Sequence, residues 1–261
     1  MSASVAATAP RIYSLPVELA GPLREWPKWL AHIRAMGFSH VLMPPPFLAT
    51  SVHGRSVLND AERPHTALQS SAAGIDTLRA LAKLCAEHEL GLLLDVDVAS
   101  LAADAPLRIE HPDWFQAIAE FGGLPDPRQP PIESGVRWRL HDTQVAQAAL
   151  GWWSGQLRDW SRAGVAGFRL LSLEAAAPAW WAQLTGTIRA QAPASVLLGW
   201  TEGLTPEVLA PLADAHFDYC FCSAEWWDLR ASWFARGQSR TSPKPSRLPA
   251  FLLHFLEREC V

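Results

Sequence analysis

LLLDVDV, from Leu92 to Val98, decides the fold. Three successive leucines leave no polar face before Asp95, so the segment reads as a strand covered on both sides, as in a parallel sheet flanked by helices. Upstream, Leu78, Leu81, Ala82 and Cys85 fall on one face of a helix for which Asp76 is the expected N-cap and Gly91 the stop. Downstream, after an irregular Pro- and Gly-rich insertion over 101–140, Val145, Ala149, Trp153, Leu157 and Trp160 mark the inward stripe of a helix over 142–163, closed by Gly164. GFRLLSL, from Gly167 to Leu173, is the next apolar strand.

The same alternation runs through the rest of the chain. Ile12 to Leu19 reads as a first strand, Gly21 to Met36 as its helix, and His40 to Met43 as a second strand stopped by three prolines. Residues 48–73 read as a long polar loop, a feature that is often functional. Pro178 to Ala192 reads as a helix, Ser195 to Trp200 as a strand, Pro206 to Asp214 as a short helix and Phe217 to Cys222 as a sixth strand. Strands separated by helices, with no hairpin signal, imply a parallel sheet. The fold class is therefore α/β, a (β/α) TIM-type barrel with about six of the eight strand–helix units that closure requires. The expected organisation is a disordered leader over 1–10, the barrel domain over 11–234, and an irregular tail over 235–261 carrying one short helix near Leu252 to Glu259.

Bulk properties narrow the function. The 261 residues carry a formal net charge of -4, which gives no electrostatic case for nucleic acid or an anionic membrane surface. No apolar run approaches the ~18 residues that span a bilayer. The start lacks the basic and apolar segments of a secretory signal, so a cytoplasmic location is expected. Cys85, Cys220, Cys222 and Cys260 read as thiols in a reducing compartment, the first three in apolar surroundings. No HExxH-type spacing marks a metal site, no glycine-rich phosphate loop or nucleophile elbow occurs, and no cofactor is called for. Thirteen tryptophans are many for this length. They serve either as core or as platforms for the apolar face of a pyranose. For Trp152–Trp153 and Trp180–Trp181, one ring inward and one elsewhere is expected. Trp226, Trp227 and Asp228 follow the sixth strand and are candidates for sugar or partner contact.

LLLDVDVAS and GVAGFRLLS, together with AGPLREWPKWLAHIRAMGFSHVLMPPPF (20–47), HPDWF (111–115) and FDYCFCSAEWWD (217–228), occur in an order that resembles glycoside hydrolase family 13, the α-amylase family. Within it the chain resembles the maltosyltransferases that extend α-1,4-glucans from maltose 1-phosphate. The resemblance spans roughly residues 11–234. It implies a retaining mechanism with a carboxylate nucleophile and a carboxylic acid ~5 Å apart. It also implies which positions carry those groups, and most of them are changed. Asp95 matches the third-strand aspartate and Arg169 the arginine that orients the nucleophile. The nucleophile position holds Leu171, the acid position Trp200, and an Asn-His pair after the third strand is replaced by Ala99 and Ser100. Leucine forms no glycosyl ester, and tryptophan protonates no leaving oxygen. Glu174 and Glu202 are the candidate substitutes, and Asp97 shares the parity of Asp95. His65 and His111 are further ligand contacts implied by the resemblance. The expectation is a catalytically impaired glucan-binding or scaffolding module of carbohydrate metabolism, binding an α-glucan or maltosyl ligand. Its open barrel would be covered by self-association or by a partner domain. An active glycosyltransferase or hydrolase with relocated carboxylates, or an interaction domain that binds no sugar, are the alternatives.

Overall fold

The computed structural model describes residues 9–52, 55–118, 135–201 and 204–221. In chain order its elements are β1 (Ile12–Ser14), α1 (Val17–Ala20), α2 (Trp26–Ala35), β2 (His40–Met43), β3 (Phe47–Val52), β4 (Arg55–Pro64), α3 (Gly74–Glu87), β5 (Gly91–Asp97) and β6 (Ser100–Ala102). There follow α4 (Pro106–Glu110), β7 (Phe115–Ala117), β8 (Gly135–Trp138), α5 (Thr143–Arg162), β9 (Gly167–Leu171), α6 (Pro178–Gln191), β10 (Val196–Trp200), α7 (Pro206–Leu209) and β11 (Tyr219–Phe221).

Six strands form one sheet in the order β1-β2-β5-β9-β10-β11, every pair parallel. Each strand joins beside its predecessor in the chain, as the strands of a (β/α) barrel do. The sheet curls as part of such a barrel, so six strand units match the number read from the sequence.

Strand parity sorts the core into two faces. Leu92, Leu94 and Val96 pack with the helices in the larger cluster, which holds Leu78, Leu81, Trp153 and Trp160. Leu93 turns the other way and packs with Ile12, Leu42, Leu198 and Phe221 on the barrel's inner face. Full burial of a Leu- or Phe-sized side chain contributes ~1.5–3 kcal/mol, so these two layers dominate stability. Several tryptophans on the helix face are also tethered. Trp153 donates to the carbonyl of Val98 at 3.0 Å, Trp180 to Ala146 at 2.8 Å and Trp181 to Leu173 at 2.9 Å. Their indoles are therefore core, with the N–H satisfied as a buried ring requires.

Two glycines fix local geometry. Gly164, with φ +106°, ends the run of α5 in a conformation that side chains avoid. At Gly167 an added Cβ would lie 2.1 Å from the Val196 carbonyl oxygen, so only glycine lets β9 approach β10 this closely. Asp142 caps α5 by accepting from the amides of Gln144 at 2.9 Å and Val145 at 3.3 Å.

Several expectations need correction. The segment read as a polar loop over 48–73 contains the antiparallel pair β3–β4, and part of the insertion over 101–140 forms a second antiparallel sheet ordered β6-β8-β7. Neither segment carries an Asn-Gly or Asp-Gly turn, the strongest local signal of a hairpin. The strand expected over 12–19 stops at Ser14, because Pro16 cannot donate to a ladder, and Val17–Ala20 turns into helix instead. The helix expected from Gly21 starts at Trp26 after a 3-10 turn over Leu23–Glu25. Asp76 lies inside the first turn of α3, which Ala73 precedes as cap, and pairs with Arg79. Gly91 opens β5, and α3 has already ended at Glu87. Trp180 and Trp181 are both buried, not one of two. The residues of the leader before 9, the 235–261 tail with its helix, Cys222 and Cys260 lie outside the described residues.

Candidate functional site

The C-terminal ends of the barrel strands open into a cleft of about 460 Å³, within the ~300–1,000 Å³ usual for small-ligand sites. Ser14 from β1, Leu42 and Met43 from β2, Asp95 from β5, Arg169 and Leu171 from β9 and Trp200 from β10 line its floor. The wall comes from Glu18 on α1, from Thr50, Ser51 and Ser56 on the β3–β4 pair, and from His65 just beyond it.

Register explains why these residues meet. Asp95 stands opposite Arg169, and Arg169 opposite Leu198, so parity aims all three at the inner face. Leu171 and Trp200 each lie two residues further along and share that direction. Arg169 Nε donates to Asp95 Oδ1 at 2.7 Å, and its Nη2 to Oδ2 at 2.5 Å. The guanidinium carbon sits 4.6 Å from the centre of the Trp200 ring and 5.1 Å from that of Phe221. The arginine side chain is only 6% exposed, so a planar carboxylate fork and two aromatic rings replace its lost water.

Across the cleft, Glu18 Oε1 lies 3.3 Å from His65 Nε2. The other ring nitrogen, Nδ1, accepts from the amide of Ala67 at 3.3 Å. That acceptor role places the ring proton on Nε2, directed at the carboxylate. The hydrogen bond from His65 holds the Glu18 carboxyl below the usual carboxylate range. Sequence reasoning missed Glu18 because it was assigned to the first strand. Pro16 was the signal that could have moved it onto a helix.

The remaining candidates are dispersed. Ser172 turns the chain through the left-handed region (φ 58°) directly after Leu171, and Glu174 then sits exposed in a 3-10 turn and does not line the cleft. Asp97 is buried and accepts from the amide of Ala99 at 3.0 Å, so it braces the backbone after β5. Ser100 opens β6 and is buried. His111 stacks on Trp114, with ring centres 3.7 Å apart, beside the small sheet and away from the cleft. Glu202, Trp226, Trp227 and Asp228 lie outside the described residues. Among the described residues no group of three or more His, Cys, Asp or Glu is arranged to hold a metal ion. No described helix is long and apolar enough to cross a membrane.

No family model matches the chain. Among curated proteins it is 34% identical over 231 residues to the α-1,4-glucan:maltose-1-phosphate maltosyltransferase of Burkholderia pseudomallei, a match covering 87% of this chain and 20% of that protein. The enzyme of the same name from Rhodospirillum rubrum is 25% identical over 223 residues, covering 77% of this chain and 31% of that protein. The chain thus spans between a fifth and a third of the length of these relatives. Among solved structures it superposes on the α-amylase of Geobacillus thermoleovorans, crystallised with acarbose, with a TM-score of 0.61 and 16% identity, covering 81% of this chain and 51% of that one. An α-amylase from Lactobacillus plantarum gives a TM-score of 0.62 at 17% identity, covering 89% and 56%. At such identities the structural likeness speaks for the fold, and the sequence matches for the kinship. The chain is a partial α-amylase-type barrel whose sequence is similar to part of the glucan maltosyltransferases.

Proposed function

We propose that this barrel domain recognises α-glucan segments and does not itself turn them over. The observation that carries the reading is the set of groups in the cleft. Retaining glycosyl transfer needs two carboxyl groups ~5 Å apart flanking the scissile bond, one of them as nucleophile. The ends of β9 and β10 present Leu171 and Trp200 instead. Among the described residues the cleft holds two carboxylates, Asp95 and Glu18. Asp95 is bound bidentately by Arg169, and Glu18 receives the His65 proton. Neither is placed as an attacking group with an acid beside it.

What remains suits binding. Hydroxyls from Ser14, Thr50, Ser51 and Ser56 and the carboxylates of Glu18 and Asp95 can exchange hydrogen bonds with sugar hydroxyls, while Trp200 and Leu171 supply apolar contact. The role is that of a glucan-binding or scaffolding module in a reducing, cytoplasmic setting. The free, buried thiol of Cys85 accords with that setting.

Calorimetric titration of the full chain with maltoheptaose, with product analysis of the same sample after long incubation, tests the reading. Binding without new products is the expected result. New oligosaccharides or glucose would overturn it in favour of a glycosyltransferase or hydrolase with relocated carboxylates.

A second reading has one observation in its favour. Among the described residues β1 and β11 each pair on one side only, at the two ends of the sheet. Open edges invite a further strand, so a second copy or a partner domain would complete the barrel and the chain would serve association instead of sugar binding. Light scattering decides this: a monomer that binds maltoheptaose removes the second reading, and a dimer that does not bind it removes the first.

A further inference from the structure

The charges of the cleft do not suit the anionic donor after which its sequence relatives are named. Among the described residues lining it, the charged side chains are Glu18, Asp95 and Arg169, with His65 beside them. Arg169 is matched one for one by Asp95 through two hydrogen bonds and is turned onto Trp200 and Phe221. His65 uses its Nδ1 lone pair on the Ala67 amide and directs its Nε2 proton at Glu18. Among the described lining residues Glu18 has no Lys or Arg partner.

We propose that the cleft selects neutral, hydroxylated saccharide ligands and excludes sugar phosphates, with Glu18 as the residue that sets this preference. The inference rests on the glucan-binding reading and refines its ligand class. A carboxylate offers about four lone-pair sites, of which His65 takes one, and the remainder can accept from sugar hydroxyls. A phosphate ester offers Glu18 only acceptors and a second negative charge. Recognition of a phosphate ordinarily draws on an available Arg fork or Lys, or on the amides of a helix N-terminus. The one Arg fork among the described lining residues is closed on Asp95. The hydrogen bond from His65 lowers the Glu18 pKa from its ordinary value, which favours the ionised form. Glu18 is 62% exposed and bonded only at the wall, so its replacement leaves the core untouched.

The test compares maltose with maltose 1-phosphate by calorimetric titration of the full chain, with maltoheptaose as the control for glucan binding. The expected result is that maltose 1-phosphate binds at least ~10-fold more weakly than maltose, and that added salt narrows the gap, because screening acts on charge and not on shape. In Glu18→Gln, which keeps the size and an acceptor oxygen, the two ligands should bind within a factor of about two to three of each other. Equal or tighter binding of maltose 1-phosphate by the unaltered chain overturns the inference while leaving the glucan-binding reading standing. A gap that survives unchanged in Glu18→Gln overturns the role given to Glu18. Failure of maltoheptaose to bind overturns the underlying reading, and this inference with it.

Discussion

Asp95 and Arg169 stand opposite each other on the neighbouring parallel strands β5 and β9 and are joined by two hydrogen bonds, of 2.7 and 2.5 Å, at the floor of the cleft. Both side chains are largely withdrawn from water, 15% and 6% exposed. Such a pair is costly to break from one side, because the surviving charge stays buried without its partner. Asp95→Ala is therefore expected to destabilise the domain by ~3–5 kcal/mol, whereas the double change Asp95→Leu with Arg169→Met costs much less, since apolar residues of similar size can fill the site. Urea denaturation of the three proteins measures this. A double variant as unstable as the single one would mean that the pair contributes more than mutual neutralisation.

Gly167 makes a sharper prediction. A methyl group there would sit 2.1 Å from the Val196 carbonyl, and backbone cannot yield as a flexible side chain can. Gly167→Ala should cost ~3 kcal/mol or more by forcing β9 away from β10. Gly186 gives the contrast: it lies inside α6, and an added Cβ would meet nothing within 4 Å. Gly186→Ala should stabilise by ~1 kcal/mol through helix propensity alone. Thermal melts of both variants, moving in opposite directions, check the pair.

Cys85 should be silent to modification. Burial in α3 pushes its thiol up to about 12, and the thiolate is the reactive form. At mildly alkaline pH iodoacetamide is expected to leave Cys85 unlabelled in the native chain and to label it fully in denaturant. Mass mapping of the α3 peptide reads this directly, and rapid native labelling would mean that α3 leaves its seat on the sheet.

How much of this was legible in the chain follows from which forces act locally. The stripe Leu78, Leu81, Ala82 and Cys85 and the run Leu92–Leu94 announce their burial by spacing alone, and the parallel sheet follows from their alternation. The Asp95–Arg169 contact was legible too, because both residues end apolar strands with the same parity. The β3–β4 pair was not. Its residues, among them Asn59, Asp60 and Glu62, lack alternation and a turn dipeptide, and what holds the pair is contact with its surroundings. Gly74 shows this: an added Cβ would meet the Ala61 carbonyl oxygen at 2.3 Å. The wall of the cleft was hidden for the same reason, since Glu18 and His65 lie far apart in sequence and meet only after α1 and β4 are docked. Trp200 was read as a vacated acid position, and nothing in the sequence spoke of its contact with Arg169.

His40 carries the pH dependence that the structure predicts. It opens β2, its ring bonds Ser39 Oγ at 2.8 Å, and its Cδ2 would lie 2.5 Å from a Cβ placed on Gly91, so the ring is wedged against β5. Burial lowers its pKa below the ordinary 6.5. A histidine whose folded pKa is depressed binds a proton more readily when unfolded. Its contribution is therefore intact above the unfolded value, and stability falls as pH drops through about 6.5 toward the folded pKa. The groups paired elsewhere do not mimic this. Glu18 is shifted downward from 4.5 and is felt only at lower pH. Urea midpoints measured from neutral pH into the mildly acidic range should decline for the unaltered chain and decline less for His40→Gln, whose side chain does not titrate. Equal declines in both proteins would assign the acid sensitivity to another group, and no decline in either would show that the ring accepts its proton in place.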